Sequence, residues 1–184
     1  MNFYQKCIPD FYFKSIFEIP YQTLKEQGIN TLFFDLDNTI ISYDEDELNN
    51  KHIDFLNELS KLFKIVILSN SGYQRVSKAL KNTNFPYVYH ATKPLKRGFK
   101  KGLKITKANT DDVIVIGDQL MTDIFGAHRA KLKGILIESV KRKSDRKITK
   151  FNRKIEKHVI KKIKKKYPSL YESRLEAYVN AHEM

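Results

Sequence analysis

Asp35 and Asp37 stand two residues apart, directly after the apolar run from Ile29 to Phe34, in the stretch Phe33-Phe34-Asp35-Leu36-Asp37-Asn38-Thr39-Ile40. A run so rich in β-branched and aromatic residues predicts a buried strand. Two carboxylates at the end of a buried strand are costly unless a cation or a reaction requires them. The first acid, leaving the C-terminal edge of a sheet, is placed to act as a nucleophile. The second stands close enough to move protons to and from a leaving oxygen. The pair suits phosphoryl transfer through an aspartyl-phosphate. Alone, an Asp-x-Asp-x-Thr stretch is as readily a strand-end turn with a helix N-cap, because Asp, Asn and Thr all serve in that role.

The rest of the chain weighs between the two. Ile65–Leu68, Tyr87–Tyr89, Val113–Ile116 and Ile135–Ile137 read as further strands. Helical patterns fall at Leu48–Phe63, Tyr73–Lys81, Leu95–Ala108 and Thr122–Ala130. On the first of these, Leu48, His52, Phe55, Leu56, Leu59 and Phe63 share one side. Strands separated by helices predict βαβ units. The fold class is therefore α/β: a Rossmann-like three-layer sandwich around a central parallel sheet of about five strands. In such sheets ligands gather at the carboxyl ends of the strands. Polar residues follow the strands at those ends: Ser69-Asn70-Ser71-Gly72, Thr92-Lys93-Pro94, and Gly117-Asp118-Gln119 with Asp123 beyond. A phosphoryl site needs such a set: a carboxylate nucleophile, a second acid, carboxylates for Mg²⁺, and cationic or hydroxyl donors for the phosphoryl oxygens. Singly each is weak. Ser69 could be a cap, Lys93 is one lysine among many, and Asp123 could N-cap a helix from Ile124. His52, His90, His128, His158 and His182 show no metal-ligand spacing.

Asp35-Leu36-Asp37-Asn38-Thr39, Ser69, Lys93 and Gly117-Asp118-Gln119-Leu120-Met121-Thr122-Asp123 resemble the four motifs of the haloacid dehalogenase superfamily, in order. The finer resemblance is to the YqeG family of subclass IIIA phosphatases. It is carried by Pro9-Asp10, Ser69-Asn70, Lys93-Pro94, Gly126-Ala127-His128-Arg129 and Phe151-Asn152-Arg153, and spans roughly residues 3 to 160. Ser71 and His128 depart from it, since an asparagine is usual at each. The resemblance implies a Mg²⁺-dependent phosphatase without a cap domain. It makes Asp35 the nucleophile and a metal ligand. Asp37 becomes the acid/base, with its backbone carbonyl toward the metal. Ser69 and Lys93 bind the phosphoryl group, with Lys93 also offsetting the acids. Asp118 becomes the remaining carboxylate ligand. Asp123 orients Lys93 or serves the metal, and Thr39 and Asn70 support substrate binding. The family's likeness to mitochondrial phosphatidylglycerophosphate phosphatases implies that lipid as substrate.

With 184 residues and 41% hydrophobic content, the chain can bury a full core. It divides into a core at 1–140, with an aromatic N-terminal segment, and a basic helical extension at 141–184. The single cysteine, Cys7, rules out an internal disulfide and a multi-cysteine zinc site. No apolar stretch approaches the ~20 residues of a membrane span, and charges and Pro9 interrupt any signal-peptide core. These features predict a cytoplasmic protein. Of its 34 basic and 21 acidic residues, 14 and 2 lie between Lys141 and Lys166, so nearly all of the net charge of +13 belongs to that segment.

Only 31 residues separate Asp37 from Ser69, and 23 separate Ser69 from Lys93. Helices and strands use most of them, leaving a short flap at Ser42–Glu47 and no room for a cap. An open site suits a phosphate presented on something large. Ile148, Phe151, Ile155, Val159 and Ile163 form an apolar stripe on a basic helix. It either packs on the sheet or lies on an anionic membrane at the inner face of the cell. A phospholipid headgroup at such a surface is the first candidate partner and nucleic acid the second. The functional alternatives are a phosphatase acting on a nucleic-acid end or phosphoprotein, or a non-enzymatic protein docking to a ribosome or RNA.

Overall fold

The computed structural model describes residues 1–140 and 147–182, with side chains from 152 onward in the second segment. Its strands are β1 (Phe11–Phe13), β2 (Thr31–Phe34), β3 (Lys64–Leu68), β4 (Tyr87–Val88), β5 (Val113–Gly117) and β6 (Lys133–Ile137). They form one parallel sheet in the order β1-β6-β5-β2-β3-β4. The helices are α1 (Phe3–Lys6), α2 (Tyr21–Glu26), α3 (Asn50–Ser60), α4 (Tyr73–Ala79), α5 (Lys96–Thr106), α6 (Phe125–Arg129), α7 (Lys147–Lys166), α8 (Pro168–Arg174) and α9 (Glu176–Ala181).

The sheet has six strands where the sequence predicts about five. The extra one, β1, comes from the aromatic N-terminal segment and pairs with β6 at the edge. Three residues are too few for a period of two to be legible, and Pro9-Asp10 in front reads as a turn.

β2 lies at the centre and is buried on both faces, as its unbroken apolar run demands. The strand period of two sends its side chains to opposite layers. Leu32 and Phe34 meet Leu24 of α2, Leu56 and Leu59 of α3 and Val76 of α4. Phe33 meets Val66, Leu68, Val115 and Phe99 of α5. Gly102 admits this packing, since a Cβ there would stand 2.8 Å from the Phe33 ring.

The loop between β2 and α3 holds the flap, and α4 with β4 fills the interval from Ser69 to Lys93. Among the described residues, neither interval carries a cap.

Val159, Ile160 and Ile163 of α7 are buried with Tyr171, Leu175, Tyr178 and Val179 of α8 and α9. The same cluster takes in Cys7, Ile8, Leu120, Ile124 and Leu136. Each large aliphatic chain buried there contributes about 1.5–3 kcal/mol. Ile155, a member of the apolar stripe, is 37% exposed, and the buried face at this level runs through Arg153 and Glu156. The expectations for Ile148 and Phe151 lie outside the described side chains. The lysines from Lys154 to Lys166 face outward.

Candidate active site

Asp35 is the first residue past β2, and its N–H still donates to the Ile116 carbonyl at 2.9 Å. This extends the β2–β5 ladder by one step and aims the carboxylate off the carboxyl edge. Oδ1 lies 2.6 Å from Lys93 Nζ, and Oδ2 accepts from Thr39 Oγ1 at 3.1 Å. Burial pushes the Asp35 carboxyl well above its usual range, Lys93 pulls it back down, and Asp123, Asp118 and Asp37 push it up again.

Lys93 arrives from the loop between β4 and α5. Its backbone is clasped by the Asn70 amide, which accepts from Lys93 N–H at 2.7 Å and donates to the Lys93 carbonyl at 3.0 Å. Asn70 thus holds the lysine from behind as well as lining the cavity. The Lys93–Pro94 peptide is cis. Burial alone would drive the proton off the Lys93 amine, but Asp123 and Asp35 overcome this and hold it above its ordinary value.

Asp123 Oδ1 lies 2.6 Å from the same Nζ. Its Oδ2 accepts from Gln119 N–H at 3.2 Å and Thr122 Oγ1 at 3.3 Å. The helix expected over Thr122–Ala130 divides into a π-helical turn, Leu120–Ile124, followed by α6. Asp123 sits inside that turn, so the alternative of an N-cap for Ile124 fails. Its carboxylate is committed to Lys93. The wide turn is one of the places where functional residues concentrate. Gly117 is required beneath it, because a Cβ there would lie 2.4 Å from Asp123 Cγ.

Asp118 follows β5 and is wholly buried. Its Oδ2 meets Arg153 Nη2 at 2.5 Å, and its carbonyl accepts from Arg153 Nη1 at 2.7 Å. Arg153 also stands 3.5 Å from Glu156 Oε2 and donates to the Tyr178 hydroxyl at 3.2 Å. The extension beyond residue 150 therefore reaches into the acidic cluster.

Asp37 accepts from Ser71 Oγ at 2.7 Å and Ser69 Oγ at 3.2 Å, both through Oδ2, and from Arg75 Nε at 2.9 Å through Oδ1. Between the two aspartates and the flap, Asn38 takes a left-handed φ of 64°, a conformation asparagine tolerates better than most residues. Its side-chain carbonyl accepts from Tyr43 N–H at 3.1 Å.

A cavity of about 360 Å³ opens among these groups, lined by Asp35, Asp37, Asn70, Ser71, Lys93 and, from the extension, Asn152. The structure brings together all the residues singled out from sequence: Asp35, Asp37, Thr39, Ser69, Asn70, Lys93, Asp118 and Asp123. Carboxylate oxygens of Asp35, Asp118 and Asp123 lie within 4.8 Å of one another. Three hard oxygen donors in a buried cluster fit a small divalent cation such as Mg²⁺. The Asp37 side chain is not part of this trio and is held instead by Ser69, Ser71 and Arg75.

Ser71 and Arg75 were not singled out as functional. Arg75 gives no sequence signal, being one of 34 basic residues.

A buried carboxylate held by a lysine, a second acid and hydroxyl donors gather at the carboxyl edge of a parallel sheet, a set that phosphoryl chemistry can use. Comparison with known proteins agrees. Residues 1–141 match the family described as mitochondrial PGP phosphatase. The chain is 33% identical over 160 residues to the probable phosphatase YqeG of Bacillus subtilis (strain 168), covering 86% of this chain and 92% of that one. The chain belongs to this YqeG and PGP phosphatase family. Among solved structures, an uncharacterized protein from Listeria monocytogenes serotype 4b superposes with a TM-score of 0.49 at 16% identity, over 68% of this chain and 99% of the other.

Proposed function

We propose that this phosphatase is a Mg²⁺-dependent phosphomonoesterase that works through an aspartyl-phosphate on Asp35 and converts phosphatidylglycerophosphate to phosphatidylglycerol. The observation that carries the chemistry is the Lys93 ammonium, 2.6 Å from both Asp35 and Asp123 with Asp118 alongside. Asp35 attacks phosphorus, its orientation held by Thr39. Lys93 and Ser69 receive the phosphoryl oxygens. Asp37 donates a proton to the leaving oxygen, then takes one from the water that cleaves the acyl-phosphate. Asn70 fixes the lysine's backbone, and Asp123 fixes its ammonium. Asp35, Asp118 and the Asp37 carbonyl, with Asp123 nearby, would hold a Mg²⁺, which would supply charge neutralisation for the phosphoryl group.

The lipid substrate is supported by the family's description, by an open cavity without a cap, and by the lysines facing out along α7. Asn152, in the second turn of α7, lines the cavity. Docking of that face on an anionic membrane would bring a headgroup phosphate to the site from the inner side of the cell membrane. No described helix is long and apolar enough to cross a membrane.

Phosphate release from phosphatidylglycerophosphate in mixed micelles, with Mg²⁺ and with chelator, tests this beside a soluble phosphomonoester. Fast release from the lipid that chelator abolishes is the expected result. Mg²⁺-dependent turnover of the soluble ester but not of the lipid would discard the substrate. Nucleic-acid ends and phosphoproteins would then come next. Asp35→Asn should abolish release with the fold intact, and near-normal turnover in that variant would sink the covalent route.

A further inference from the structure

Arg75 is the one residue of α4 whose side chain reaches both the cavity and the flap. Its Nε donates to Asp37 Oδ1 at 2.9 Å. Its Nη1 donates to the carbonyls of Glu45 at 2.5 Å and Asp46 at 3.2 Å, and its Nη2 to the carbonyl of Ser42 at 3.3 Å. The guanidinium also lies over the Tyr43 ring, 5.5 Å from its centroid. The Arg75 and Asp37 side chains are only 16% and 17% exposed, so water screens the contact weakly. One rigid planar group thus ties the carboxylate and the backbone of residues 42–46 together.

We propose that Arg75 is a positioning residue that locks the Asp37 carboxylate to the Ser42–Glu47 flap, so that the proton-transfer group and the loop beside the cavity hold each other in place. The inference rests on the phosphatase reading for what Asp37 does, but the linkage itself does not.

Three features give it content beyond a loop staple. Arg75 binds Oδ1, while Ser69 and Ser71 bind Oδ2, so the plane of the carboxylate is fixed from both sides. Without Arg75 only the serine contacts remain, and the plane can turn about them. Other contacts reach the flap from outside it, among them Tyr43 N–H to Asn38 Oδ1 at 3.1 Å, Asn82 Nδ2 to Glu47 Oε2 at 3.4 Å and Lys78 to Asp46 at 2.8 Å, but the last is exposed and weak, and Arg75 alone of these groups also holds the Asp37 carboxylate. Finally, every hydrogen bond from Arg75 to the flap goes to a backbone carbonyl, and the Tyr43 ring is the one flap side chain the guanidinium touches, so the grip reads loop position more than loop side chains.

The test has two arms, run on the full chain. In the first, Arg75→Ala is assayed on an alkyl phosphate and on p-nitrophenyl phosphate. An alkoxide leaves only with a proton, whereas p-nitrophenolate leaves readily without one. Read in a single turnover as release of the alcohol or phenol, before the hydrolysis step that both esters share, a misplaced acid therefore costs the alkyl ester at least about 100-fold and the aryl ester less than about 10-fold. Partial recovery with added guanidinium is expected. Equal losses on both esters, or no loss, overturn the positioning role.

In the second arm, hydrogen exchange is followed at the amides of residues 42–47. Arg75→Ala and Asp37→Ala should each speed it at least about tenfold, since a linkage acts in both directions. Unchanged exchange in Asp37→Ala overturns the lock even if the kinetics change. Should the unsubstituted protein hydrolyse neither ester, the phosphatase reading falls, and exchange alone then decides the linkage.

Discussion

Arg153 on α7 grips Asp118 at two points, its Nη2 2.5 Å from the carboxylate and its Nη1 2.7 Å from the backbone carbonyl. A helix that follows the sheet in sequence thereby orients an acid of the central cluster. Asp118 is wholly buried, and Glu156 on the other side of the guanidinium is wholly buried too. Arg153→Ala would leave both acids without their shared cation. Removing one partner of a buried ion pair costs about 3–5 kcal/mol. For a chain of this size each kcal/mol lowers Tm by roughly 2–4 °C. Thermal unfolding should therefore show a loss on the order of 10 °C. Half-saturation by Mg²⁺, followed by the rise in Tm on titration, should move to higher concentration. A variant with unaltered Tm would show that the pair contributes nothing net.

Gly117 tests how tightly the lysine is held. A Cβ at this position would sit 2.4 Å from Asp123 Cγ and 2.5 Å from its Cβ. Contacts so short force the Asp123 side chain to move, and Lys93 loses one of its two carboxylate partners. Gly117→Ala should keep the circular dichroism spectrum of the sheet yet lower kcat by about 100-fold or more, in line with the loss of oriented electrostatic groups elsewhere. Turnover within a factor of a few of the parent would mean that Asp123 does not set the position of Lys93.

The sheet was legible because β2, β3 and β5 are continuous apolar runs, each closed by polar residues at its carboxyl end. The site followed from them, since a parallel sheet collects those ends. Three things were not legible. β1 is too short to show a period. The π-helical turn has no sequence signature, so Asp123 read as a possible cap. Arg75 and the Arg153–Glu156–Tyr178 cluster depend on approaches between elements far apart in the chain. Tyr178 donates to Glu156 across 22 positions, and Arg75 reaches Asp37 across 38. Patterning cannot report such approaches. The apolar stripe left its own partner open between the sheet and a membrane; Val159 and Ile163 pack inward, whereas Ile155 lies off the buried face, where the paired, charged Glu156 is buried instead.

Asp10 makes a prediction about acid stability. It precedes β1, and its Oδ2 accepts from Gly134 N–H at 2.8 Å and lies 2.9 Å from His128 Nε2. Burial alone would raise its carboxyl, but the contacts with His128 and Gly134, helped by Arg174, hold it below the ordinary 3.8. A folded-state value below the unfolded one means stability that is fully present above the unfolded value. It is lost as pH falls through the folded value. Asp10→Asn removes this contribution. The variant should show a smaller drop in denaturation midpoint than the parent between about pH 5 and about pH 2.5. An identical drop in both proteins would locate the acid sensitivity elsewhere.

The outward lysines of α7 separate a docking role from plain solvation. The helix lines the cavity through Asn152 and ends by α1, where Lys166 rests over the Tyr4 ring at 4.8 Å from its centroid. Its inner face is satisfied by the core, so the lysines are not needed for packing. Lys157, Lys161 and Lys165 recur every four residues on the exposed side. A basic residue near an anionic bilayer contributes about 1 kcal/mol, so reversing three charges removes on the order of 3 kcal/mol or more of attraction. Lys157→Glu/Lys161→Glu/Lys165→Glu should bind vesicles of phosphatidylcholine with phosphatidylglycerol at least about 100-fold more weakly than the parent. Its turnover of a soluble phosphomonoester should be unchanged, because none of the three lines the cavity. The parent's vesicle binding should weaken as salt is raised, since surface charges are screened over about 8 Å at physiological ionic strength. Equal binding by the two proteins would leave these lysines as a solvated face and move the search for the lipid contact to the rim of the cavity. Tighter binding of the parent to RNA than to such vesicles would turn it instead toward a nucleic-acid phosphate.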